Sequence, residues 1–242
     1  MSNRILQGIC VATALTIGAA GGASAQGILL SQSERVELEV NGQVEVRQVG
    51  SSIDVGQTIG AIDDPVAVAL PDGSLALAFP GGSLSIVEYR DEEPARIEIG
   101  LEEGVTYFES GQFPSDSYLL SNASGEPIRL AGTAVWVAQT AAGQIQIEVT
   151  EGAITFSNLS LGEGDEAVTV TYERVNGEFR IVSVDVAPSL ATAERAQLVT
   201  VFRELLAPGG GLPLAGLELP SAALRGIQTA LENALQASPL AP

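Results

Sequence analysis

Residues 97–108 read IEIGLEEGVTYF, and residues 145–156 read IQIEVTEGAITF. Laid over each other at an offset of 48, they agree at Ile97/Ile145, Ile99/Ile147, Glu103/Glu151, Gly104/Gly152 and Phe108/Phe156. Leu101 matches Val149 in kind. In each copy three apolar residues alternate with polar ones, which puts them on one face of a strand. The Glu-Gly pair then reads as a tight turn, with glycine supplying a backbone that other residues resist. Phe108 and Phe156 return to cover the same core. Two such units can stack, each closing the apolar face the other leaves open. Glu103 and Glu151 are read as solvated turn acids rather than a catalytic pair.

Working outward, a shorter repeat precedes the long one. PDGSLALAF at 71–79 runs directly into PGGSLSIVE at 80–88, matching at Pro71/Pro80, Gly73/Gly82, Ser74/Ser83 and Leu75/Leu84. Pro-x-Gly predicts a turn with glycine at positive φ, followed by an alternating strand. PVAVAL, ending at Leu70, adds another apolar run. Gly132-Thr133 forms a further predicted turn, in LAGTAVWV at 130–137. Two hairpins flank this region. VELEV-NG-QVEVRQV (36–49) and AVTVTYERV-NG-EFRIVSVDV (167–186) each alternate around Asn-Gly, the preferred pair for a two-residue type I′ turn.

Beyond Pro188 the period changes. Leu198, Val201, Phe202, Leu205 and Leu206 fall at helical spacing, with Ser189 or Thr192 as the start signal and Pro208-Gly209 as the stop. After a Gly/Pro/Leu linker, Leu224, Ile227, Leu231 and Leu235 form a second stripe behind Ser221. Two amphipathic helices are therefore expected, packed on the β body or on each other. Strict alternation sets Trp136 opposite Val135 and Val137. It is then either part of an exposed binding surface or buried in a second apolar layer under those helices, and a lone large aromatic favours the layer.

The first 25 residues read differently. Met1–Arg4 carries one positive charge, residues 5–20 are apolar or small apart from Gln7 and two threonines, and Ala23-Ser24-Ala25 is a small-x-small site before Gln26. This is the pattern of a secretory signal peptide. Its removal would take away Cys10, so no disulfide is expected in the 217 residues that remain. With Arg4 gone, 10 arginines face 30 acids, a net of −20, and the sequence has no Lys or His. Such a surface repels nucleic acid and anionic lipid and favours basic partners. The missing residue types exclude Ser-His and Cys-His nucleophile pairs, His-ligated metal, Schiff bases and P-loops. Carboxylate chemistry such as glycoside hydrolysis remains, with no visible pairing of acids and only one tryptophan as a sugar platform.

Residues from about Val55 to Phe156 resemble the FecR domain. The carriers are Val55-Gly56, VALPDGSLALAF (68–79), LEEGVTYF (101–108), a Tyr118–Leu120 strand, LAGTAVWV (130–137) and IEVTEGAITF (147–156), in that order. The resemblance implies a periplasmic β domain that passes a signal from an outer-membrane receptor, and no catalytic residue. Family members of the well-known type add a cytoplasmic anti-sigma segment and a transmembrane helix. Here a signal peptide is expected in their place, so sigma-factor control is not carried over.

The expectation is thus mainly β: a FecR-like domain of short stacked strands, solenoid- or sandwich-like, flanked by hairpins and followed by two helices. Residues 1–25 form the signal peptide, 26–187 the β region and 188–242 the helical region. Gly73, Gly82, Gly104, Gly132, Thr133 and Gly152 are expected to be structural turn positions. The expected function is non-enzymatic: an exported protein-interaction or sensing module, periplasmic or extracellular. Its partner would be an envelope protein of basic character, with no nucleic acid, no stable membrane insertion and no cofactor. The alternative is a structural envelope or matrix protein binding Ca²⁺ through Asp63-Asp64, Asp91-Glu92-Glu93 or Gly162–Glu166, though none has a regular ligand ladder.

Overall fold

The computed structural model describes residues 26–31, 35–141 and 143–206. The expected signal peptide and the second expected helix, over 221–238, lie outside these residues. In chain order the strands are β1 (Gln26–Leu30), β2 (Arg35–Val40), β3 (Gln43–Gln48), β4 (Ser52–Asp54), β5 (Thr58–Ala61), β6 (Val66–Ala69), β7 (Leu75–Ala78) and β8 (Ser83–Arg90). There follow β9 (Arg96–Glu109), β10 (Tyr118–Asn122), β11 (Ile128–Ala141), β12 (Gln144–Phe156), β13 (Leu159–Gly162), β14 (Val168–Val175) and β15 (Glu178–Val186), and then the helix α1 (Ala193–Leu206). Among the described residues the protein is mainly β, with all fifteen strands in one hydrogen-bonded sheet.

Both hairpins form as their Asn-Gly pairs dictate. β2 pairs with β3 in unbroken register around Asn41 (φ 49°) and Gly42 (φ 79°). β14 pairs with β15 around Asn176 (φ 55°) and Gly177 (φ 86°). The long repeat is built otherwise than expected. Glu103-Gly104 and Glu151-Gly152 are not turns between short strands. They lie inside β9 and β12, continuous strands of 14 and 13 residues. Gly132-Thr133 likewise sits inside the 14-residue β11. The ladders shift register beside these positions, between Ser83 and Leu84 opposite β9 and between Ala131 and Ala134 in β11. Each glycine therefore marks a β-bulge, which bends a strand without ending it.

The bends let one strand serve two sets of neighbours. Before Gly104, β9 pairs with β8 and runs parallel to β10; after it, β9 pairs with β7 and β11. The first half of β12 pairs with β14 and its second half with β13, while β11 pairs with both halves. The residues on both sides of each bulge close on one core: Ile97, Ile99, Leu101 and Phe108 from β9, with Ile145, Ile147, Val149 and Phe156 from β12. The repeat is thus a repeated bent strand, equivalent in burial at its matched apolar positions and differing between them, since Tyr107 is buried whereas Thr155 is exposed.

A second core lies on the opposite face of β6, β7, β9 and β11. Leu75, Leu77, Phe79, Tyr107, Ala134 and Trp136 face Leu190, Val199, Val201 and Phe202 there. This explains the continuous apolar runs of β6 and β7, which are buried at every residue. Strands covered on both faces lose the alternation seen in half-exposed ones.

Candidate functional site

The predicted turn residues divide into three roles. Gly73 takes φ 87° in a true turn before β7. At the second Pro-x-Gly the left-handed residue is Gly81 (φ 77°), not Gly82. Gly82 is needed for another reason: a Cβ there would lie 2.8 Å from both the Phe79 and the Val105 carbonyl oxygens. Gly104 (φ 63°) and Gly152 (φ 72°) carry both constraints. A Cβ at Gly104 would meet the Gly81 oxygen at 2.4 Å, and one at Gly152 the Gly132 oxygen at 2.1 Å. Thr133 pins the β11 bulge. Its hydroxyl donates to the Ala153 carbonyl (2.6 Å) and accepts from the Ala131 N–H (2.9 Å), while its own N–H donates to Ser110 Oγ (2.8 Å). A bulge leaves ladder groups unpaired, and a β-branched hydroxyl is well placed to satisfy them.

Trp136 is 2% exposed. It lies 4.9 Å from the Tyr107 ring and 5.5 Å from Phe79, under α1. An exposed binding surface at Trp136 is therefore ruled out, because the helix supplies the second apolar layer. Two polar clusters hold α1 there. Arg203 pairs through Nε with Glu109, donates to the Tyr107 hydroxyl (2.8 Å), and lies 3.6 Å from Glu151. Burial pushes the Tyr107 hydroxyl up, so it stays protonated and donates to Glu109 (2.9 Å). Glu148 accepts from Ser189 Oγ (2.8 Å) and from the N–H groups of Leu190 and Ala191, fixing the approach to the helix. Ser189 is thereby engaged with β12, and Thr192 is the residue whose hydroxyl faces the first turn, at 3.4 Å from the Arg195 N–H.

Sequence reasoning missed Asp72, the buried carboxylate of the PDGS turn, 4% exposed. It accepts from the Ser74 N–H (3.2 Å), from Ser74 Oγ and from the Tyr118 hydroxyl (2.8 Å). Ser74 Oγ in turn accepts from the Gly111 N–H (3.1 Å), and Tyr118 from the Phe113 N–H (2.9 Å). Burial raises the Asp72 carboxyl above its ordinary 3.8, against the lowering effect of these hydrogen bonds. Every donor comes from the chain itself, so Asp72 ties the β6–β7 turn to the segment ahead of β10. Its signal was the Asp-Gly-Ser of the turn, whose aspartate side chain folds back onto the N–H two residues on.

The acidic loops do not converge. Among the described residues no group of three or more acids is gathered as metal ligands would be. Asp165 accepts the Gly162 N–H (2.7 Å) and so closes its own loop. Asp63 and Asp64 line a groove of about 810 Å³ with Phe79, Leu198 and Val201. Glu103 is exposed, and Glu151 faces Arg203.

The sheet margins are the remaining surface. β3 has one strand neighbour, β2, among the described residues. Val44 and Val46 on it are 61% and 65% exposed, opposite Glu39 and Glu37. On its other face Glu45 and Arg47 pair at 3.0 Å. β15 also exposes Val182, Val184 and Val186, but its ladder is broken by a bulge at Val182. Among the described residues no helix is long and apolar enough to cross a membrane.

No family model matches the chain. No curated protein matches it either. A solved structure described as a "putative anti-sigma factor" from Parabacteroides distasonis ATCC 8503 aligns with 53% of this chain, at 17% identity and a TM-score of 0.37. The alignment spans 60% of that protein's own length, and the likeness is too distant to carry a fold or a function across.

Proposed function

We propose that this chain is a non-enzymatic, exported FecR-like module that binds another envelope protein by adding a strand from it to β3. The observation that carries the reading is the β3 margin. It is in unbroken register with β2, and it presents two exposed valines opposite Glu39 and Glu37. An unpaired strand offers a row of free N–H and C=O groups, and natural proteins blunt such edges with bulges or charges. β15 is blunted by its bulge; β3 is not bulged. Strand addition takes its affinity from main-chain hydrogen bonds and its specificity from alternate side chains. The side chains here select an extended segment carrying apolar and basic residues. A net charge of −20 from Gln26 onward disfavours a second copy of the same chain.

Three further features support the non-enzymatic part. The sequence has no His or Lys, its one Cys lies in the leader-like segment, and the buried carboxylate Asp72 is held by Ser74 of its own turn and by the Tyr118 hydroxyl. The order of FecR-like motifs supports an exported compartment through family likeness. The test is capture from cell-envelope extract by the chain from Gln26 to Pro242, beside the variant Val44→Lys/Val46→Lys. Loss of one specific partner in the variant, with its melting temperature kept, is expected. A partner held equally by both forms would refute the β3 reading.

A further inference from the structure

The two Asn-Gly hairpin turns are near copies of each other. Each reads Val-Asn-Gly, at 40–42 and at 175–177. The asparagines take φ 49° and 55°, the glycines φ 79° and 86°. Asn41, Gly42, Asn176 and Gly177 are all exposed. In neither turn is the glycine N–H hydrogen-bonded to backbone among the described residues. What differs is what the fold lays against the asparagine. The Asn41 side-chain oxygen accepts from the Thr58 N–H (2.9 Å), and the Asn41 N–H donates to the Thr58 carbonyl (3.0 Å). Val40 beside it pairs with Ile59, so this tip is backed by β5 as a third strand. The Asn176 side chain has no hydrogen-bond partner among the described residues. β12 pairs with β14 only from Val168 to Thr171, so the hairpin runs on past it as a two-stranded ribbon from Glu173 to Arg180. Arg174 ties that ribbon to the Ser124 carbonyl (2.8 Å) and reaches the Gly177 carbonyl (3.3 Å), but does not hold the Asn176 side chain. Two-stranded ribbons are marginal by themselves, and such tips open locally at low cost.

We infer that Asn176-Gly177 is a site of spontaneous self-modification, and that the fold protects Asn41-Gly42, the turn that carries β3, from the same reaction. The only co-reactant is water. The Gly177 nitrogen attacks the side-chain carbonyl carbon of Asn176. A new C–N bond closes a five-membered imide, the C–NH₂ bond breaks, and the side-chain nitrogen leaves as ammonia with the Gly177 proton. Water then opens the ring at either imide carbonyl, giving aspartate or isoaspartate. Both products add one negative charge, and isoaspartate also inserts a methylene into the backbone of the turn. Ring closure requires the asparagine side chain to swing onto the next nitrogen. Asn176 does so whenever the ribbon tip opens. Asn41 must first release the Thr58 N–H and leave it without its partner, which raises its barrier. Because the flanking residues and the turn backbone match, the difference in reactivity comes from the surrounding fold.

The test is incubation of the folded chain from Gln26 to Pro242 in mildly alkaline buffer made with heavy-oxygen water. Trypsin in ordinary water then releases residues 36–47 and 175–180, each holding a single asparagine. Mass spectrometry counts the label gained at each, and chromatography separates the aspartate from the isoaspartate form. Asn176 should convert about tenfold faster than Asn41, a barrier difference of about 1.4 kcal/mol. In urea above the unfolding transition, where only the shared Val-Asn-Gly sequence remains, the two rates should become alike. Equal rates in the folded chain, conversion of Asn41 ahead of Asn176, or no conversion of Asn176 while the chain is folded would each overturn the inference. A rate difference that survives in urea would overturn it too, since flanking sequence rather than the fold would then set the rates.

Discussion

Replacing Gly152 by alanine tests whether β12 is one bent strand. Gly152 and Gly132 face each other across the β11–β12 ladder, and both take left-handed backbone, at φ 72° and 63°. Alanine in that region costs roughly 1–2 kcal/mol. At Gly132 this is the whole effect, because nothing lies within 4 Å of a Cβ built there. At Gly152 the same Cβ would sit 2.1 Å from the Gly132 oxygen and 2.8 Å from the Ala131 oxygen, both backbone atoms. Backbone cannot swing aside as a flexible side chain does, so the two strands must part. Overpacking of that sort adds about 1–3 kcal/mol. Gly152→Ala should therefore cost about 2–5 kcal/mol and Gly132→Ala about 1–2. Gly104→Ala should follow Gly152→Ala, since its Cβ would meet the Gly81 oxygen at 2.4 Å. Urea unfolding followed by far-UV circular dichroism gives all three, compared by midpoint at constant slope. If Gly152→Ala and Gly132→Ala agree within about 0.5 kcal/mol, the close approach does not exist. The Glu-Gly pairs would then be ordinary turns, and the bent-strand account would fail.

Other consequences follow from the two cores and their pins. Thr133→Val keeps the shape but leaves the Ala153 carbonyl and the Ala131 N–H without their side-chain partner, and should cost about 1–3 kcal/mol in the same urea assay. Arg203→Ala removes the contacts to Glu109 and Tyr107. Arg203 is 41% exposed, which discounts the ion pair, and a loss of about 1 kcal/mol is expected. The sharper readout is emission from Trp136, which should shift to the red if the end of α1 lifts. Asp72 gives a pH signature. Its native carboxyl is raised above 3.8, so the folded state binds that proton more tightly than the unfolded chain. The resulting stabilisation is present at low pH and fades as pH rises through the native value. The stability difference between wild type and Asp72→Asn should therefore widen in favour of wild type as pH falls from neutral through that value. Melting temperatures of the two proteins at several pH values measure it, and a difference that stays flat would contradict the raised carboxyl.

The parts of the fold that were legible were those set by local chemistry. Asn41-Gly42 and Asn176-Gly177 dictate type I′ hairpins, and both form. The apolar spacing of Leu198, Val201 and Phe202 dictates a helix, and α1 is there. The 48-residue repeat was visible, yet its meaning was not. A Gly with Glu before it fits a turn and a bulge equally well, and the choice depends on strands far away in sequence, such as β7 and β11 against β9. The shift from Gly82 to Gly81 has the same origin, because the Gly104 bulge packs onto that turn. Runs such as VAVA and LALA did carry a signal for two-sided burial, and so for a covering helix over Trp136. Asp72 was hidden because a turn aspartate is ordinarily wet, and only the segment ahead of β10 buries it. The β3 margin was unreadable for a plainer reason: alternation shows which face is apolar, not which strand lacks a neighbour.

The central claim, that β3 receives a strand from an envelope partner, is tested most directly by photocrosslinking in the producing cell. A benzophenone amino acid placed at Val46, and separately at exposed Glu163, would be irradiated in situ. The account predicts a discrete adduct of one mass from position 46 and none from position 163. No adduct at position 46, or the same adduct from both, would contradict it.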